Sequence, residues 1–351
     1  MQQQNRFAVV QTQAFVWPRP WAESSKFLNF RREILARISG FEFDLRKIEP
    51  SFPAGKSVIQ LFSPSSDQMA RIVDKAGIGK AEGLLGLRLV CEDCDLTSLG
   101  AQITSSDGEP VSAEDRVWMA RRFFAEEIQG WFRAMIAIWN TCYFGCLNAV
   151  HMMTYVDDDL VCSDIGGSSR ILGAFTENDF LDVLESSDIA PSTVLEWSLR
   201  CRGFWNGSAQ SRVEKAVACL THCFEVYSGR PDTYSTLMWS LAGLEALFCD
   251  SEAGITYQIR RRAPLLLSGY PIQNLDKMLV RGYAFRSRLF HGDVRMVSAF
   301  RRDEYPSDDN RYELEAEKYA DFFLAVLCCS IRTCIEKCST DVTFSDGANF
   351  S

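Results

Sequence analysis

Histidine is scarce in this chain, at three residues among 351, and positive charge is not in excess, since the formal net charge is −9. Few histidines argue against a histidine-built metal centre. A negative balance argues against a protein that coats nucleic acid along its whole surface. No long apolar run exists: Phe322 to Ile331 is about half what a membrane-spanning helix needs. A Gly-x-Ser-x-Gly elbow, a kinase signature and a Gly-Lys-Ser/Thr phosphate loop are all missing, and Gly166-Gly167 reads as a turn. Cys91-Glu-Asp-Cys94 has zinc or redox spacing, but no second such pair follows to complete four ligands. The expectation is no metal, no cofactor and no membrane partner.

Cysteine, by contrast, is abundant. Thirteen cysteines, an odd number, follow an N-terminus without the basic-then-apolar run of a secretory signal. Together these predict a reducing, cytoplasmic setting. Pairs spaced i,i+4, such as Cys219 and Cys223, suit small core residues of helices. Asp157-Asp158-Asp159 reads as a solvated turn, and His151 and His222 lie in apolar surroundings that suit interior histidines.

A length of 351 residues predicts two domains. The charge divides with them: residues 1–199 carry all of the −9 and residues 200–351 sum to zero. Up to about residue 110, strand-like runs (Phe7 to Val16, Ser57 to Phe62, Leu85 to Cys91) alternate with helix-like ones (Glu23 to Ile38, Ser66 to Lys75). Ser112-x-x-Asp115 resembles a capping box opening a helix from Ala113 to Leu147, with a break predicted near Gly130. A hairpin is predicted over 151–175. Helices then follow from Thr176 to Cys338. The last residues are small and polar, which predicts a disordered tail at 341–351. The fold class expected is α+β: a mixed α+β domain at 1–190, then an all-α domain at 191–340.

The richest stretch is Tyr283 to Asp293. Met278, Gly282, Phe285 and Leu289 lie on one helical face, and Gly292 supplies a helix-ending residue. Arg286 and His291 sit at that helix end, five residues apart. An imidazole exchanges protons near neutral pH, and a guanidinium binds phosphate with two donors at once. The bland alternative is a dipole-compensating histidine beside a solvated arginine. Glu245 lies beside the stripe Leu237, Leu241, Leu244, Phe248. There it either pairs with Arg262 or Arg286 inside the bundle or orients Arg286 for function.

Four segments in order, Trp239 to Phe248, Ile259 to Leu267, Phe285 to Gly292 and a helix from Tyr312 to Cys338, resemble the Apea-like branch of the HEPN superfamily. The resemblance covers about 195–340. Ser287 departs from the Asn, Asp or His often found after the motif arginine. The resemblance implies a helical HEPN bundle in which two copies pair as a homodimer, joining two Arg-x4-His motifs into one metal-independent endoribonuclease site. Arg286, His291 and Ser287 would be catalytic, and Arg288, Arg260 and Arg262 would bind RNA. An antitoxin or regulatory partner, in a toxin or phage-defence context, is the further expectation. The competing reading is a non-catalytic dimerisation or RNA-binding scaffold.

Overall fold

A computed structural model of the chain describes residues 6–16, 25–47, 55–76, 85–95, 111–143, 147, 149–165, 189–224, 226–227, 230–251, 254–270, 272, 274–294, 311–344 and 348–350. Two compact units emerge: Met1–Trp139 with Cys146–Ser168 and Ala190–Arg200, and Asn140–Gly145 with Ser169–Ile189 and Cys201–Ser351. The molecule is mixed α and β, with its sheet in the first unit and its helical bundle in the second.

The first unit is organised by β1 (Arg6–Val16), central in a six-stranded antiparallel sheet. On one side β1 pairs with β4 (Leu85–Asp95), then β3 (Lys56–Phe62), then β2 (Glu42–Asp44). On the other it pairs with the hairpin of β5 (Ala149–Val156) and β6 (Asp159–Ile165). Alternation explains the strands: Leu87, Leu89 and Cys91 are fully buried while Arg88 and Val90 between them are not. Thr12 and Thr154 face each other across β1 and β5, hydroxyl to hydroxyl at 3.0 Å. Asp157 and Asp158 take left-handed φ values of 49° and 71°, which makes the hairpin turn. Cys91 and Cys94 are both buried. Burial pushes the Cys91 thiol up to about 12, so it stays a thiol at neutral pH.

Helices α1 (Ser25–Ile38) and α2 (Ser66–Ala76) accompany the sheet, as does α4 (Pro191–Arg200). Helix α3 (Ala113–Tyr143) starts as expected, with the Asp115 N–H donating to the Ser112 hydroxyl at 3.1 Å. The break predicted at Gly130 does not occur. A glycine in a helix costs only about 1 kcal/mol. The helix buries Phe124, Ile128, Phe132, Met135 and Trp139, which outweighs that cost.

The second unit places α5 (Arg202–Trp205) and α6 (Arg212–His222) before α7 (Thr233–Phe248), α8 (Ile255–Leu266), α9 (Leu275–Phe290) and α10 (Arg311–Glu336). Ser211 and Glu214 form a reciprocal capping box on α6, and Asp232 caps α7. From Tyr319 to Ile335 every residue of α10 is buried, so it forms the bundle's centre. Two glycines let its neighbours approach. A Cβ on Gly243 of α7 would lie 2.9 Å from Leu327, and one on Gly282 of α9 would collide with the Phe323 ring.

Two departures from the sequence reading occur here. A short ribbon, β7 (Val226–Tyr227) with β8 (Arg230–Pro231), interrupts the helices. The expected disordered tail instead contains a hairpin, β9 (Val342–Phe344) with β10 (Ala348–Phe350). Val342 is fully buried and Phe344 packs on Phe248 at 5.7 Å, so a few apolar residues in a polar stretch suffice to anchor it. The Gly166-Gly167 turn and the helix predicted just after Thr176 lie outside the described residues.

Candidate active site at the end of helix α9

The end of α9 is closed by its own backbone. Gly292, at φ 77°, donates to the Leu289 carbonyl at 3.3 Å, and the Asp293 N–H returns to the Arg288 carbonyl at 2.9 Å. This is a Schellman closure, which satisfies the last carbonyls without side chains. His291 occupies the cap position at φ −83°, ψ 1°, exposed to solvent. The other two histidines are engaged elsewhere. His151 is buried with Nε2 3.1 Å from the Ser163 hydroxyl, and His222 stacks on Trp239 at 4.0 Å.

Arg286 lies five residues, about 1.4 turns, before the cap and is half-buried. Its Nη2 lies 3.5 Å from Glu245 Oε1 on α7, and its guanidinium covers the Phe290 ring at 5.2 Å. The two partners left open for Glu245 are thereby separated: Arg286 is its ion-pair partner, and Arg262 turns elsewhere. Burial pushes the Glu245 carboxyl up, with Arg286 and then the Tyr283 hydroxyl pulling it back. Glu245 Oε1, the Tyr283 hydroxyl and Arg286 Nε are all shielded from solvent, and none makes a hydrogen bond of good geometry. These three polar groups belong to residues packed at one place, where the Arg286 guanidinium and the Tyr283 hydroxyl offset the cost of burying the Glu245 carboxylate.

Arg260, Arg262 and Arg288, the other arginines expected to bind RNA, are committed to acidic partners. Arg260 grips Asp276 with two bonds, one of them Nη2 to Oδ2 at 2.9 Å, and this holds the Asp276 carboxyl below its usual range. Arg288 holds both oxygens of Glu315 at 3.1 and 3.2 Å. Arg262 donates to the Phe248 carbonyl at 2.5 Å, to Gln258 at 3.1 Å and to Asp250. Arg212 completes that cluster through Asp250 and the carbonyls of Leu247 and Cys249. Ser287 is exposed on α9 beside Arg286.

The structure therefore gathers Arg286, Glu245, Tyr283 and Phe290, with His291 at the same helix end, and sets Arg260 and Arg262 apart in ion pairs of their own. Sequence reasoning missed Tyr283 and Phe290 as site members. Tyr283 falls three residues before Arg286 and Phe290 four after, the spacings at which helical side chains meet. That spacing was the available signal. Among the described residues no group of three or more His, Cys, Asp or Glu side chains converges as a metal site, and no helix is long and apolar enough to cross a membrane. Compared with known proteins, the chain matches no family model, no curated protein and no solved structure.

Proposed function

We propose that the helical unit is a HEPN-type, metal-independent endoribonuclease whose site is built on Arg286 and His291. The observation that carries this is the arrangement at the end of α9: an exposed imidazole five residues, about 1.4 turns, beyond a guanidinium that a carboxylate and an aromatic ring hold in place. RNA brings its own nucleophile. His291 of one copy takes the proton from the 2′-hydroxyl as that oxygen attacks the adjacent phosphorus. Arg286 neutralises the charge that builds on the phosphoryl oxygens. His291 of a second copy returns a proton to the departing 5′-oxygen. The products are a 2′,3′-cyclic phosphate and a 5′-hydroxyl. One imidazole per chain supplies one proton carrier, so two chains make one site.

Arg288, Arg260 and Arg262 contribute less to RNA binding than their charge suggests, because each already has a carboxylate. A second reading, a scaffold that holds RNA or a partner without cutting it, draws on the same Glu245–Arg286 pair, since that carboxylate competes with any incoming phosphate. One experiment separates them. Wild type and His291→Ala are incubated with total RNA in excess EDTA. Cleavage by wild type alone, with cyclic-phosphate ends, is expected. Cleavage that requires added magnesium, or that His291→Ala retains in full, would overturn the nuclease reading.

A further inference from the structure

Helix α3 carries a feature that the nuclease reading does not use. Its inner side is buried through Phe124, Ala125 and Ile128, yet Trp118, Met119 and Phe123 on the outer side are 57%, 38% and 59% exposed. With Arg122 and Glu126 they line a shallow hollow along two turns. Large apolar side chains clustered in the open on one helix mark an interaction surface. Further along the same face stands Gly130, where a Cβ would meet nothing within 4 Å. This glycine weakens the helix, and among the described residues no packing requires it.

We propose that α3 pairs antiparallel with α3 of a second copy of this chain, with the two-fold axis crossing at the level of Phe124. In a two-fold contact, a residue a given number of places before the axis meets the one the same number after it. This register sets Arg122 opposite Glu126 of the other copy, and Glu126 opposite Arg122. Asp115 falls opposite Arg133. Trp118 falls opposite Gly130, whose missing side chain leaves room for the indole. Crossing at Arg122 or at Glu126 would instead set like charges face to face. A crossing near 20° keeps the outer pairs within reach. Arg122 and Glu126 already pair within one chain at 2.8 Å, so association turns two pairs into a ring of alternating charge. Exposed ion pairs are individually weak, so the two Trp118 side chains, each seated at the other copy's Gly130, supply the affinity and the charges fix the register.

The inference is independent of the nuclease reading, and its test uses full-length chains. Tagged Arg122→Glu should capture Arg122→Glu poorly but capture Glu126→Arg well, because only the mixed pair restores every opposition. We expect at least about a tenfold difference in apparent Kd between the two pairings. Association through the second unit alone would capture both equally, and that result overturns the proposal. Gly130→Leu provides a variant that folds at least as well as wild type. It should keep or raise the melting temperature while abolishing the α3 contact, read as loss of the preference between mixed and like charge variants when placed in both. Preference that persists unchanged when the Gly130→Leu side chain fills the room left for Trp118 would also overturn the register.

Discussion

Two helix ends within the same bundle use arginine in opposite ways. At the end of α7 the carbonyls of Leu247, Phe248 and Cys249 are taken by Arg212 and Arg262, which also share Asp250. At the end of α9 the backbone closes on itself through Gly292, and no side chain is needed. Arginine at the first end is mortar. At the second it is left with one distant carboxylate and an aromatic ring, beside an exposed imidazole. The density of arginines along a sequence is thus a poor guide to where an anion can bind, and the way each helix end is closed is a better one.

The comparison breaks most sharply at His291. His291→Ala should lower RNA cleavage by about 10²–10⁴-fold, the usual contribution of general acid–base catalysis. The melting temperature should hardly move, because an exposed cap residue with its hydrogen bonds in the backbone contributes little to packing. Loss of folding with unchanged activity per folded molecule would make His291 structural. Arg286→Lys should follow, with cleavage down by about 10- to 1,000-fold, since an ammonium keeps the charge but not the two-pronged geometry. Full activity in this variant would remove the guanidinium from the mechanism.

Arg262→Ala probes the other helix end. It strips a donor from the Phe248 carbonyl and from Asp250, and should cost about 1–3 kcal/mol of stability by chemical denaturation. Cleavage per folded molecule should be unchanged, and a selective loss of RNA affinity would return Arg262 to the site. The smallest effect is expected from Glu245→Gln. Because burial raises the Glu245 carboxyl in the folded protein, wild type gives up stability as pH rises through that raised value. An amide does not titrate. The melting temperature of the variant relative to wild type should therefore shift in the variant's favour as pH rises above the ordinary glutamate value of about 4. A shift in the opposite direction would mean that Arg286 outweighs burial.

Much of the architecture was legible because it rests on local periodicity. The strands β1, β3 and β4 and the helices α1, α2 and α9 follow from alternation and from three-to-four spacing. Gly130 misled because a local penalty was weighed without the buried face that overrides it. The final hairpin was missed because Val342, Phe344 and Phe350 are scattered apolar residues in a polar run, and what holds Phe344 is Phe248, far away in sequence. The arginines show the same limit. Nothing local tells that Arg260 will meet Asp276 or that Arg288 will meet Glu315, for those pairs exist only once the helices have packed. Arg286 and His291 were legible because helix face and helix end are both written within one short segment.

The glycine contacts of α10 have a mechanical consequence. Phe323 and Leu327 act as pegs seated at Gly282 and Gly243, and Gly282 stands four residues, about 6 Å along the axis, before Arg286. Sliding α9 by one residue would drive Arg281 or Tyr283 onto the Phe323 peg, and the next seat is a full turn of about 5.4 Å away. At that seat Met278 or Arg286 would replace the glycine. The guanidinium therefore has a fixed address along the bundle. Control over it must come from what is delivered to that address, and not from shifting the helix that carries it.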